Sequence, residues 1–308
     1  MALPDEVKEL ARRVNNWGRW GADDEIGTLN LVTDDVVRRA ATSVRTGRRL
    51  TLAMPLDEQG PQIGAIPGRI NPERTMIAVN ASATGDPSDF CTSDDAVSMG
   101  LQACTHWDGM AHVSYEGNLY NGFRADSITD RGASKLGIEK IGALVGRGVL
   151  LDVARAKGVD RLPGGYAITG DDLDAAAELG RIVVEPGDIV LVRTGQMQFF
   201  HEGDRLAYTT PSAGPSLQSV QWFRDHDIAA VATDNVTFEV FPCEREDALL
   251  PVHLLHLVDM GMTQGQNWDL ELLSADCADD GQYTFLLDAT PLPFTNAVGS
   301  PVVPVVIK

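Results

Sequence analysis

Gln102-Ala-Cys-Thr-His-Trp-Asp-Gly-Met-Ala-His112 brings His106, Asp108 and His112 within seven residues of one another, among small and apolar neighbours. Imidazole and carboxylate are the ligands that borderline metals prefer. Histidine also titrates near neutrality, so the cluster suits either a metal or a proton relay. In an extended segment side chains alternate faces, which would put His106 and Asp108 on one side and His112 on that side further along. Taken singly, each residue has a plainer reading, as a hydrogen-bonded core histidine or an aspartate capping a turn at Gly109. The cluster outweighs it, because the chain holds only six histidines and two are here.

The same stretch resembles the His-x-Gly-Thr-His-x-Asp-x-Pro-x-His motif of the cyclase family that includes bacterial kynurenine formamidase and isatin hydrolase. Thr105, His106, Asp108 and His112 match it as they stand, whereas Gln102 replaces the first His, Cys104 the Gly and Met110 the Pro. The exchange at 102 matters most, since it removes an implied metal ligand. The resemblance implies that His106 and Asp108 bind metal and that His112 carries the proton, with Trp107 beside the substrate. It implies an α/β chain with the swivelling β/β/α fold, and an oligomer, homodimer or homotetramer, in which an arm of one subunit reaches its partner's site.

Composition bounds what else the chain can be. With 308 residues it can bury a sizeable core without disulfide or metal staples. Its 25 basic and 44 acidic residues give a formal charge of −19, which repels phosphate backbones and anionic bilayers, so neither nucleic acid nor membrane is expected as a partner. Cys91, Cys104, Cys243 and Cys277 are far apart with no Cys-x-x-Cys pair, pointing to a reducing cytoplasm. The start, Met-Ala-Leu-Pro-Asp-Glu, lacks a signal-peptide pattern, and no run approaches about 18 apolar residues. Neither a Gly-x-Gly-x-x-Gly, a P-loop nor a Gly-x-Ser-x-Gly elbow is present, which argues against bound nucleotide and serine hydrolysis.

The pattern along the chain is that of one α/β domain over residues 1–308, with 1–32 as an arm on the core or on a partner subunit. Val7 to Val14 has helical spacing, and the loop after it carries Trp17 and Trp20, either packed cover or an aromatic pocket wall. Thr33 reads as the N-cap of a helix with a stripe to Val44, closed by Gly47. Residues 57–73 read as a long loop, 74–81 as a strand, and 82–95 as a polar loop leading into a buried strand from Val97 to Cys104 that delivers the motif. Runs 148–153, 189–194 and 228–233 suit central strands, 171–179 and 216–225 suit helices, and 283–288 and 301–307 suit closing strands. Asp234, Asn235 and Glu239 follow a strand end, where ligands gather in open α/β sheets, although they could equally cap the loop.

A second constellation is Leu249-Leu-Pro-Val-His-Leu-Leu-His-Leu-Val-Asp-Met-Gly261. Pro251 fits a first helical turn, and His253 and His256 share a face. The family pattern places a ligand His one residue after a Pro-x pair, which is His253, and a ligand Glu about a dozen residues on, where this chain has Gln266. Gln102 and Gln266 would then touch substrate or bind metal weakly, as Trp17 and Trp20 would touch substrate. The resulting expectation is a hydrolase that opens a small amide, imide or lactone, with one divalent metal, Zn or Mn, on His106, Asp108 and His253, and with His112 as base and acid. The alternative is a cyclase or dehydratase of secondary metabolism that works by proton transfer, with or without metal.

Overall fold

Ile189-Val-Leu-Val-Arg193 is buried on both faces, as a strand must be when structure covers the sheet above and below. It lies centrally in the nine-stranded sheet of a computed structural model that describes residues 3–308. In chain order the strands are β1 (Arg49–Thr51), β2 (His106–Asp108), β3 (Val145–Asp152), β4 (Ile189–Arg193), β5 (Ala230–Thr233), β6 (Thr263–Gln266), β7 (Thr284–Asp288), β8 (Gly299–Pro301) and β9 (Val305–Ile307). They are arranged β1-β9-β7-β3-β4-β5-β6-β2-β8. The run β3 to β6 is parallel, and the strands outside it pair antiparallel.

The sheet must curl. Strands β8 and β9 are seven steps apart in it, roughly 34 Å if the sheet were flat. Only residues 302–304 join them, a connection that reaches about 14 Å at most. The sheet edges therefore approach one another, and Leu52 N donates to Pro304 O while Val302 N donates to Thr105 O. Alternation along the strands then fills two cores. Val149, Leu151, Val190, Val192 and Val231 pack with α1 (Asp5–Val14), α3 (Gly170–Gly180) and α4 (Leu217–Asp225). Leu150, Ile189 and Leu191 face the other way, with Trp107, Trp268 and Leu273 of α5 (Glu271–Asp280).

Local chemistry explains the helix starts. Thr33 caps α2 (Asp34–Ala41) by accepting from Val36 N, Thr169 and Asp172 form a reciprocal capping box on α3, and Ser216 accepts from Gln218 N on α4. Residues 5–32 pack on their own chain: Val7, Leu10 and Val14 are buried, and Trp17 Nε1 donates to Val258 O.

Three expectations fail instructively. The polar run after residue 82 is no plain loop, because Glu73–Ser82 and Cys91–Ser98 form an antiparallel ribbon. Val97 and Ser98 end that exposed ribbon, and the motif strand is only His106–Asp108, approached through turns. The expected strand 301–307 is two short strands in separate parts of the sheet, interrupted by Pro304, which has no N–H to give to a ladder.

Candidate active site

Strand β2 sits between β6 and β8 in a register that sets Gln266 opposite His106, Gly265 opposite Trp107 and Gln264 opposite Asp108. Directly opposed residues share a face, so His106, Asp108, Gln264 and Gln266 form one buried polar patch. Trp107 and Gly265 face the other way. A Cβ at Gly265 would lie 2.6 Å from Trp268 Nε1 and 3.0 Å from the Trp107 ring, so glycine there makes room for the indole pair. Trp107 is fully buried against Trp268 and donates from Nε1 to Ala289 O at 2.8 Å. The expectation that Trp107 touches substrate is therefore corrected: the strand alternation that aims His106 and Asp108 at the site aims Trp107 into the core.

His112 reaches the patch by a turn. The strand ends at Asp108, His112 N donates to Gly109 O, and Met110 and Ala111 are buried while the chain doubles back. His112 Nε2 ends 3.7 Å from Asp108 Oδ1, and His106 Nε2 is 3.4 Å from the same oxygen. His106 Nδ1 lies 2.6 Å from Cys104 O. A carbonyl can only accept, so Nδ1 carries the hydrogen, and Nε2 is the nitrogen turned toward Asp108. Gln266 Nε2 donates to Asp108 Oδ2 at 2.7 Å, while Asp108 Oδ1 and Gln266 Oε1 are buried with no hydrogen-bond partner.

Glu239 positions His253. Its carboxylate accepts from Val252 N, His253 N and His253 Nδ1, the last at 2.7 Å, so one buried acid serves both the open N–H groups of the helical turn begun by Pro251 and the imidazole. The turn continues as a π-helix, Leu254–Met260, a rare form frequent at functional sites. His256 is buried between the rings of Phe223 and Phe238, and burial lowers its pKa to about 3, so it stays neutral.

Burial alone would raise the pKa of Asp108, but His112, His106 and His253 around it more than reverse this, leaving the carboxyl well below its ordinary range. His112 is shifted down, mainly by burial and against the pull of Asp108, and so is neutral and able to accept a proton near pH 7. Arg69, from the long loop, adds its positive charge to the field at both Asp108 and His112. The sequence held no signal for it beyond the length of that loop.

The structure thus brings together His106, Asp108, His112 and Gln266, with His253 near enough to act on Asp108 and His112. Gln102 lies over Gly299, beside β2, where a Cβ would come 2.5 Å from its Nε2. Trp17 and Trp20 are elsewhere: Trp17 bonds Val258 O near the far end of the π-helix and lies against Gly122, and Trp20 stacks under the Arg19 guanidinium. The acids after β5 divide by role, for Asp234 accepts from Thr194 and Gly195 as a structural brace, whereas Glu239 serves His253. A cavity of about 700 Å³ borders His253, walled by Val113, Tyr115, Leu249, Leu250 and Leu254.

An orphaned carboxylate oxygen faced by imidazole nitrogens is a cation's environment. Asp108 Oδ2 is already taken by the neutral amide of Gln266. Among the described residues no three His, Cys, Asp or Glu side chains already stand grouped to hold a metal ion.

Residues 50–240 match the family described as Putative cyclase. The crystal structure of a novel cyclase is 39% identical and superposes with a TM-score of 0.87, covering 96% of this chain and 99% of that one. The chain belongs to the cyclase family. Isatin hydrolase A from Labrenzia aggregata, bound to benzyl benzoate, shares its fold at 20% identity and a TM-score of 0.63, over 87% of this chain and 94% of the other. So does a predicted metal-dependent hydrolase from Bacillus stearothermophilus, at 18% identity and a TM-score of 0.53, over 84% and 97%. Among curated proteins none matches the sequence. In this family member no helix among the described residues is long and apolar enough to cross a membrane.

Proposed function

We propose that the chain is a hydrolase that opens a small amide, imide or lactone, with His112 as the proton carrier. The observation that carries this reading is the approach of His112 Nε2 to Asp108 Oδ1 in a largely buried cluster where His112 is neutral and Asp108 ionised. His112 takes a proton from the attacking water and returns it to the leaving nitrogen or oxygen, a role open to a base whose pKa lies near or below working pH. Asp108, 3.7 Å away, compensates the charge the imidazole gains. Glu239 fixes the tautomer and angle of His253, and the cavity beside His253 is large enough for a small organic substrate. His106, Asp108 and His253 would hold one divalent ion, Zn or Mn. Such an ion, when bound, polarises a carbonyl and makes water acidic enough to ionise near neutrality.

The bond from Gln266 to Asp108 favours a second reading, a cyclase or dehydratase working by proton transfer without metal. A panel of amides, imides and lactones separates the two when assayed with metal-replete and with chelated protein. Hydrolysis that disappears on chelation supports the first reading, and full activity after thorough chelation removes metal from it. The four cysteines are all free, which supports a reducing compartment such as the cytoplasm. The ribbon at 73–98 exposes Ile77, Val79 and Phe90 at 70%, 67% and 69%, which supports a homodimer or homotetramer built on that surface.

A further inference from the structure

Arg69 is a half-buried guanidinium without a partner. Among the described residues no carboxylate lies within ion-pair distance of it, and no hydrogen bond is made from its side chain. By contrast Arg193 is clamped by Asp152 and Glu271, and Arg147 by Glu185. Drawing an arginine partly out of water without such compensation costs stability. Burial does lower its pKa, and Asp108 is the one carboxylate whose field opposes this.

The loop holds Arg69 in place. Asn71 locks it by donating to Glu58 O and Gln62 O and accepting from Gln62 N, and Gln62 Nε2 bonds Ala103 O beside the motif. Gly100 N donates to Ile70 O, and a Cβ at Gly100 would lie 3.0 Å from Arg69 Cγ, so the arginine stem rests on bare backbone just ahead of Gln102. Arg69 lines a cavity of about 520 Å³ with Gln62, Asn71, Arg74 and Thr75, and with Glu58 and Glu73, neither of which pairs with it. Gln62, which lines the same cavity, bonds Ala103 O three residues ahead of His106, which ties this cavity to the cluster, and the Arg69 charge is felt at Asp108 and His112. An unpaired fork of N–H donors on a braced loop beside that cluster matches a planar anion.

We propose that Arg69 is the specificity-determining residue that binds a carboxylate carried by the substrate, so that the compound opened here is an amide, imide or lactone bearing a free carboxylate. This rests on reading the cluster as a hydrolytic site, and it names the substrate class for that site.

Calorimetric titration of the full-length protein with benzoate and with benzamide tests the anchor without any turnover. Benzoate should bind at least about 10-fold more tightly than benzamide, the worth of a charge-assisted pair. Arg69→Gln should abolish the preference and Arg69→Lys should keep part of it, with melting profiles like wild type. Equal affinity for the two probes, binding of neither, or a preference that survives in R69Q would overturn the proposal. The wild-type comparison decides even if R69Q folds poorly. Kinetics with 3-formamidobenzoate and formanilide add a second readout: R69Q should raise KM for the charged amide about 10- to 100-fold relative to any change for the neutral one. An equal fall in kcat for both would instead place Arg69 on the transition state and refute the carboxylate role. Failure of both amides to turn over would count against the hydrolase reading, while the benzoate preference would still decide the role of Arg69.

Discussion

Gln266→Glu installs a carboxylate where the resemblance read from the sequence implies one, and the geometry predicts its cost. Gln266 Nε2 now donates to Asp108 Oδ2 at 2.7 Å. A glutamate there would put two carboxylates about 3 Å apart, a repulsion of roughly 5 to 6 kcal/mol at an effective dielectric of about 20. The chain can escape by keeping one carboxyl protonated, which at pH 7 costs about 4 kcal/mol for a group with an ordinary pKa of about 4.3. That smaller figure is the expected deficit. A carboxyl whose pKa is higher folded than unfolded costs stability above the unfolded value, so the deficit should grow upward from about pH 4.3 and shrink to about 1 kcal/mol at pH 5. For a chain of this length about 2 °C accompanies each kcal/mol, so in chelator the variant should melt about 8 °C below wild type at pH 7 and about 2 °C below at pH 5. Zinc or manganese should then raise the melting point of the variant more than that of wild type, since a cation relieves the repulsion. Thermal melts at matched scan rate measure all of this. A deficit that is absent at pH 7, or the same at both pH values, would refute the account of Gln266 as a neutral partner of ionised Asp108.

Four further outcomes are expected. His112→Ala should lower turnover on a confirmed substrate by roughly 10² to 10⁴-fold with metal content unchanged; wild-type turnover would remove His112 from the mechanism. Elemental analysis of protein purified without chelator should return at most one divalent ion per subunit, and two equivalents would contradict the blocking of Asp108 Oδ2 by Gln266. Glu239→Ala strands the N–H groups of Val252 and His253, so melting should fall by several degrees and activity with it, a loss of roughly 2 to 4 kcal/mol; an unchanged melt would deny Glu239 its positioning role. Light scattering at micromolar concentration should exceed the 33.2 kDa of one chain, and charged substitutions at Ile77 and Val79 should return the particle to that mass.

Much of this protein is written in local patterns. The buried runs around Leu150, Leu191 and Val231, the caps at Thr33 and Ser216, and the clustering of His106, Asp108 and His112 depend on neighbours a few residues away, where side-chain period and capping chemistry act. The short, exposed or interrupted elements were less legible. The polar strand Cys91–Ser98 carries no buried face to give it a periodicity, and the split at Pro304 is decided by the curl of the whole sheet. The site divides in the same way. Its ligand types and its proton carrier stand in one stretch of sequence, yet the turn that returns His112 to Asp108, the register that joins Gln266 to Asp108 and the reach of Glu239 to His253 span up to 158 positions. The sequence alone determined which groups are available; tertiary structure decided which of them meet, because strand register and sheet curvature are set by the packing of the whole core and by no single segment.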